Sequence, residues 1–501
     1  MMKVEVKEGD VTNFAAPLLV VNLFEGVKHP GGATGAVDKA LGGAISKALA
    51  AGEMKGKPGQ TLLFYTYEKI PAARVLVVGL GESDKFGPEE ARRAAAAALW
   101  VAEKLSIKDM ATIVHGAGIG GIEPQSAAEA TALGSLLAAY RFDRYKSEED
   151  RTRPRLENLT IIERDADKLA AFQSGVKRAE AIAWAQNFAR DLVNEPSNVM
   201  TPVEFANRVE EVLSKAGAEV TVHDEAWIQK KGLNLMWGVA KGSEHPPRLV
   251  VIRYKGAGDN DPWIGVVGKG VMFDSGGISL KQPQGMEGMK GDMGGGAAVA
   301  GALLAAAKLE VKRNVLGIIP AVMNSPGGRA QNPGDIVCGL DGPSVEIIST
   351  DAEGRLILAD GLSYARELGA SYLVDIATLT GASVVALGTK VAGIFAADEK
   401  LEKLLMDNVS QTGERLWPMP MFDEYNKQLE STAAGIKNTG GRHAGAITAA
   451  KFLEHFTDKK PWVHIDIAAK EMTDEPYSCY RKGATGFGVR TLLRFVEKWE
   501  V

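Results

Sequence analysis

The chain has 501 residues, of which 45% are hydrophobic and 24% charged, with a formal net charge of -5. This balance is that of a soluble globular protein too long for one ordinary core, and it excludes disordered and fibrous classes. The acidic average argues against general binding to nucleic acid or anionic membranes, and the only two cysteines, Cys338 and Cys479, argue against a disulfide-stabilised secreted chain.

The N-terminus alternates charged with apolar residues through Glu8 and lacks an apolar h-region, which predicts a first strand and no signal peptide. The longest uncharged small-residue run, Met293 to Ala307, is shorter than the ~20 residues that a membrane span needs. A cytoplasmic location with reduced thiols is therefore expected.

Strands are predicted at Pro17–Leu23 and Ala73–Gly79, and a helix from Glu89 to Lys104, with acidic residues in its first turn and alanine throughout. Gly79-Leu80-Gly81 and Gly116 to Gly121 read as plain strand-to-helix turns. A phosphate-cradling loop needs a helix opening on the last glycine, and Pro124 interrupts the second run. Residues 141 to 168 are the richest in charge and are expected to be a solvated connector. Asp165 to Val193 then has the apolar spacing of one long helix. The expected organisation is an N-terminal α/β domain over residues 1–164, a linking helix over 165–193 and a larger C-terminal domain over 194–501.

Further strands are predicted at Arg248–Tyr254, Trp263–Gly268, Asn314–Pro320, Ser344–Ser349 and Tyr372–Ile376. Helices fit between them at Gly295–Leu309, Leu356–Leu368 and Gly445–Phe456. Near-continuous apolar strands with helical crossovers imply an α/β fold with a mostly parallel sheet covered on both faces. Ligand sites in such sheets form beyond the carboxyl ends of strands.

Two acidic clusters follow predicted strand ends. One is Lys269 to Gly277 around Asp274, with Lys281 and Asp292 close behind; the other is Ser349 to Leu356. Asp351, Glu353 and Arg355 stand at i, i+2 and i+4, so an extended segment would point all three to one side. Two carboxylates forced together repel, one arginine offsets only one of them, and a metal cation is the usual remedy. Taken singly, Asp292 or Asp351 reads as a helix cap and Lys269 or Lys281 as a surface lysine. It is the convergence of four carboxylates and two lysines that favours a site. The seven histidines contain no HExxH, so any metal would be held mostly by oxygen.

These stretches carry a resemblance. Gly268-Lys269-Gly270, Phe273-Asp274-Ser275-Gly276-Gly277, Lys281, Asp292-Met293-Gly294-Gly295 and Thr350-Asp351-Ala352-Glu353-Gly354-Arg355-Leu356 are similar to the signature of the leucyl aminopeptidase family, the two-metal cytosolic exopeptidases. The similarity extends through Tyr140–Ser147, Ala189–Asn194, Pro333–Ile336, Asp375–Gly381, Gly445–Ala450 and Gly486–Arg490, covering about residues 130 to 490.

The resemblance implies that Lys269, Asp274, Asp292 and Glu353 hold one metal and that Asp274, Asp351 and Glu353 hold the second, with Asp274 and Glu353 bridging. Amine and carboxylate ligands suit Mn or Zn, with Mg or Co also compatible. Two metals about 3.5–4 Å apart can activate a water and polarise the scissile carbonyl. It further implies that Lys281 stabilises the oxyanion and that Arg355 holds a bicarbonate acting as general base. Met289, Thr378 and Leu379 would line the pocket for the first side chain, favouring leucine or another apolar residue. A macro-domain-like α/β N-terminal domain, peptide substrates with a free N-terminus and a homohexamer are implied in the same way.

The chain departs from the family pattern at Ser349, at Met323-Asn324-Ser325-Pro326 and at Ala240-Lys241-Gly242-Ser243, none of them an implied ligand. The alternative readings are a catalytically silent or DNA-binding scaffold of the same fold, and a dinucleotide-dependent oxidoreductase using Gly116 to Gly121.

Overall fold

The computed structural model describes residues 2–117 and 120–499. The middle of the Gly116 to Gly121 run, at 118 and 119, lies outside the described residues. Two compact units result: Met1–Trp184 with Ser410–Gly413 and Glu475–Lys482, and Ala185–Val409 with Glu414–Asp474 and Gly483–Val501. The division falls inside a long helix, Leu169–Asn194, which follows a 3-10 turn, Ala166–Lys168, capped by the Asp165 carboxylate. No helix among the described residues is long and apolar enough to cross a membrane.

The first unit holds a six-stranded sheet in the order Lys3–Glu8, Asn158–Glu163, Asp109–Thr112, Leu18–Phe24, Arg74–Gly81 and Thr61–Tyr65, parallel except for the last pair. Two expectations need correction here. Gly79 to Gly81 form the end of a strand, where no turn is made. The charged stretch is not a connector throughout, because Asn158–Glu163 is an inner strand of this sheet; Leu159, Ile161 and Ile162 bury their side chains and outweigh the charged flanks. The predicted helix runs from Pro88 to Lys104, where Pro88 opens the first turn and Glu90 accepts the Gly87 N–H at 3.1 Å.

The second unit carries the larger sheet, nine strands of mixed but mostly parallel pairing. At its centre Trp263–Gly268 lies between Ala370–Ala377 and Asn314–Asn324, parallel to both. All eleven residues of Asn314–Asn324 are buried, which accounts for an apolar run with no alternation. The helix Gly294–Lys308 is buried on every side up to Ala307, so its small-residue composition serves close packing. A methyl group at Gly268 would come within 2.7 Å of the Gly295 carbonyl oxygen, and one at Gly295 within 2.1 Å of that of Ile376. Glycine at these positions lets the helix start rest on the strand ends that bear the site.

The strand predicted at Ser344–Ser349 stops at Glu346 and belongs to a separate three-stranded sheet with Ile336–Cys338 and Ile436–Lys437. The chain beyond it turns and enters the helix Gly354–Glu367. That helix is fastened at its centre by Asp360, whose carboxylate accepts the N–H groups of Met236 and Leu340, each at 2.9 Å. Replacing Asp360 by alanine leaves those donors unpaired, and a stability loss of about 1–3 kcal/mol is expected, read as a lowered urea midpoint.

Candidate metal centre

Each arm of the centre ends a regular element. Lys269 is the single residue between the strands Trp263–Gly268 and Gly270–Asp274. Its backbone is pinned on both sides: its N–H donates to the Ile376 carbonyl at 3.1 Å, and its carbonyl accepts the Gly296 N–H at 2.7 Å. Asp274 closes the second of those strands, paired in register with Asn324 across a bulge. Asp292 closes the 3-10 turn Met286–Gly291 just ahead of the helix Gly294–Lys308.

The extended geometry expected for Asp351, Glu353 and Arg355 is not what forms. Asp351 lies in a turn, Glu353 has helical backbone angles at the N-cap of Gly354–Glu367, and Arg355 sits in that helix's first turn. The Asp351 and Glu353 carboxylates still converge, because the turn reverses the chain between them. With Asp274 they bring carboxylate oxygens within 4.8 Å of one another.

Lys269 Nζ is nearly fully buried and lies 2.7 Å from Asp292 Oδ1, 2.8 Å from Glu353 Oε1 and 2.8 Å from the Thr378 carbonyl oxygen. Burial opposes its charge, but the Asp292, Glu353 and Asp274 carboxylates outweigh that and hold its pKa above the usual lysine range. Lys281 Nζ bridges Asp274 Oδ2 at 2.7 Å and Asp351 Oδ1 at 2.5 Å; burial again opposes the charge and Asp274 leads in raising its pKa. Burial is the main cause that raises the pKa of Asp292, Asp351 and Glu353, and the other carboxylates add to it.

Four carboxylates thus share two ammonium groups, a surplus of two negative charges in a largely buried space. Asp292 Oδ2 is buried with no hydrogen-bond partner among the described residues. A bound cation would displace the Lys269 proton and leave a neutral amine, which with the converging carboxylates and the orphaned Asp292 acceptor forms a donor set that fits divalent cations. Of the ten site residues expected from the sequence, seven gather in two bonded sets, Lys269 with Asp292, Glu353 and Thr378, and Lys281 with Asp274 and Asp351, which meet where the Asp274, Asp351 and Glu353 carboxylates converge; Thr378 Oγ1 donates to Asp292 Oδ1 at 2.8 Å. Leu379 follows Thr378 and donates its N–H to Asp466 Oδ1 at 3.3 Å. Met289 is half-buried in the turn before Asp292 and accepts the Asp292 N–H on its carbonyl. Arg355 is buried, donates from Nη1 to the Asn438 carbonyl at 2.8 Å and leaves Nε without a partner among the described residues. Burial lowers its pKa to about 10, so it stays cationic at neutral pH.

The chain is similar to known proteins along its whole length. Residues 187–493 match the model of the cytosol aminopeptidase family catalytic domain, and residues 20–149 match that family's N-terminal domain. The chain belongs to the cytosol aminopeptidase family. It is 40% identical over 500 residues to a probable cytosol aminopeptidase of Alkaliphilus metalliredigens, covering 100% of both chains. A protein of the same description from Xanthobacter autotrophicus is 43% identical over 466 residues, with 92% of this chain and 91% of that one covered. Among solved structures, a bottromycin maturation enzyme in complex with Mn is 34% identical with a TM-score of 0.85, over 96% of this chain and 99% of that one. A mutant of tomato leucine aminopeptidase is 31% identical with a TM-score of 0.89, over 100% and 97% respectively. Membership makes the protein a metal-dependent aminopeptidase hydrolase of two-domain α/β architecture.

Within this aminopeptidase, several supporting residues carry no sequence signal of their role. Asn324 donates to Asp274 Oδ1 at 2.8 Å and to the Thr350 carbonyl at 3.0 Å, tying the two acidic clusters together. Asn438, far along the chain, accepts the Ile348 and Ser349 N–H groups and donates to the Ser349 carbonyl, which fixes the Asp351 turn. Asp466 accepts from Leu379, Thr380 and Ala468 and so holds the Thr378 turn. Glu471, whose pKa burial lifts to about 7, lies against the glycines that flank Asp292. Only pattern-breaking positions, such as Asn324 at a strand end, hint at such parts.

Gly354 stands directly against the buried lysine, since a methyl group there would lie 2.7 Å from Lys269 Cε and 2.8 Å from Nζ. Gly354→Ala is therefore expected to weaken Mn2+ binding by about tenfold or more, measured by calorimetry beside a circular-dichroism check of folding. The raised carboxyl pKa values also set the sign of a pH effect. Protons compete with a cation for Asp292, Asp351 and Glu353 more strongly than for ordinary carboxylates, so Mn2+ affinity should fall steadily as pH drops from neutral toward the ordinary carboxylate range. A flat profile across that window would contradict the assignment.

Proposed function

We propose that this family member is a dinuclear-metal aminopeptidase that releases a single N-terminal residue, preferably leucine or another apolar one, from peptides in the cytoplasm, as a homohexamer. The observation that carries this reading is the convergence of Asp274, Asp351 and Glu353 oxygens within 4.8 Å, beside the Lys269 amine shared by Asp292 and Glu353. Lys269, Asp274, Asp292 and Glu353 would hold one ion and Asp274, Asp351 and Glu353 the other. Mn or Zn suits that donor set, with Mg or Co also compatible; the relative solved with Mn favours the first. When bound, the ions supply Lewis acidity for a scissile carbonyl and lower the pKa of a water.

The chain's own residues divide the remaining work. Lys281, half-buried and paired with Asp274 and Asp351, would present its ammonium to the oxygen that gains charge when the carbonyl is attacked. Arg355 holds a bicarbonate as general base in this reading, supported by a buried Nε that has no acceptor among the described residues. Thr378 orders the Lys269 and Asp292 arms through its carbonyl and hydroxyl, while the half-buried Met289 and Leu379 would line the pocket for the first side chain. Residues 194–501 would carry the reaction, with 165–193 as the linking helix from an N-terminal domain over 1–164. The exposed free thiol of Cys338 is in keeping with a reducing compartment.

Thorough chelation should abolish hydrolysis of leucine p-nitroanilide, and Mn2+ or Zn2+ should restore it. Glu353→Ala, which removes a ligand common to both ions, should lower kcat by about 100-fold or more even at saturating metal. Full activity of the chelated protein, or of that variant, would reject the two-ion reading.

A further inference from the structure

Glu471 precedes the short strand Met472–Thr473 and has no part in the chemistry assigned above. Its backbone carbonyl accepts the Thr485 N–H at 2.9 Å, so the residue is held in place. Its Oε2 is buried with no hydrogen-bond partner among the described residues, although the residue as a whole stays half-buried. The backbone N–H groups of Glu471 and Lys470 favour the charged carboxyl, but a buried oxygen without a partner is still costly unless a further donor reaches it.

Its surroundings show which donor fits. A methyl group at Gly294 would lie 2.7 Å from Glu471 Cβ, and one at Gly291 would lie 3.3 Å from Cγ and 3.6 Å from Oε1. Glycine on both sides of the Asp292 arm is thus what admits this side chain. The same two positions face Thr378 Cγ2, at 3.6 Å from a methyl on Gly294, and Met472 Sδ, at 3.3 Å from one on Gly291. The Glu471 side chain thus runs past both glycines, with Thr378 at the Gly294 position near its Cβ and Met472 at the Gly291 position near its carboxyl end, next to the arm that bears Asp292. An apolar wall with a carboxylate set in it matches a side chain that has an aliphatic stem and a cationic head.

We infer that Glu471 is a specificity-determining residue that lets the aminopeptidase accept peptides beginning with lysine or arginine, the stem resting on Thr378 and Met472 and the charged head on the Glu471 carboxylate. This rests on the aminopeptidase reading and widens its apolar preference, because the stem uses the surface that would receive leucine.

The test compares lysine and norleucine p-nitroanilides, which share the stem and differ in the ammonium group, on the full Mn2+-loaded chain. The unaltered protein should cleave both. In Glu471→Gln the lysine-to-norleucine ratio of kcat/KM should fall by about tenfold or more, mainly through KM, and Glu471→Asp should recover part of it. A ratio in Glu471→Gln within about threefold of that of the unaltered protein overturns the inference. Should Glu471→Gln fail to fold, inhibition of the unaltered protein by lysinamide and norleucinamide decides: comparable inhibition supports the inference, and lysinamide weaker by about 100-fold overturns it. Inactivity of the loaded, unaltered protein on every anilide overturns the aminopeptidase reading as well, whereas norleucine cleavage with an unchanged ratio overturns this inference alone.

Discussion

A buried ammonium group sets the terms for this centre. Lys269 Nζ has almost no contact with solvent, so its charge is tolerable only with partners at hydrogen-bond distance. Those partners are Asp292, Glu353 and the Thr378 carbonyl, which come from a 3-10 turn, a helix N-cap and the end of a strand. To meet at one nitrogen, the elements must approach more closely than side chains normally allow. Gly268, Gly295 and Gly354 supply that approach, each at a point where a methyl group would collide.

The same convergence stores electrostatic cost. Burial disfavours charge on Asp292, Asp351 and Glu353 and raises their pKa values, yet the fold keeps them together through the two lysines and fixed donors such as Asn324 and Thr378. Divalent ions relieve this tension more fully than ammonium groups can, because each brings twice the charge to the same oxygens. Asp351 differs from the rest in exposing 38% of its side chain, which places the water-facing side of the centre at that residue. Lys281 lies on the same side and links Asp351 to the buried Asp274.

Around these arms stands a set of polar residues that touch no implied cation. Asn438 holds the Asp351 turn through three hydrogen bonds and also accepts from Arg355, so one residue aligns both the carboxylate turn and the guanidinium. Asp466 does the same for the turn that carries Thr378 and Leu379. Supports of this kind keep ligand geometry within the narrow limits that metal chemistry requires.

The sequence by itself determined much of this protein. Apolar runs such as Trp263–Gly268 and Asn314–Pro320 predicted buried parallel strands, since nothing but a covered sheet tolerates them, and both are central strands. The carboxylates and lysines were legible because so many ionisable groups beside glycines serve no packing purpose. Local pattern failed where long-range packing decided. Spacing at i, i+2 and i+4 suggested an extended Asp351 to Arg355 segment, but the helix Gly354–Glu367 begins two residues earlier than its apolar pattern, because Gly354 and Arg355 are buried against partners far away in sequence. The charged stretch before Glu163 concealed an inner strand for the same reason. Asn438, Asp466 and Glu471 have no local signature at all: what each does depends on a neighbour brought to it by the fold, and only the tertiary structure could show that.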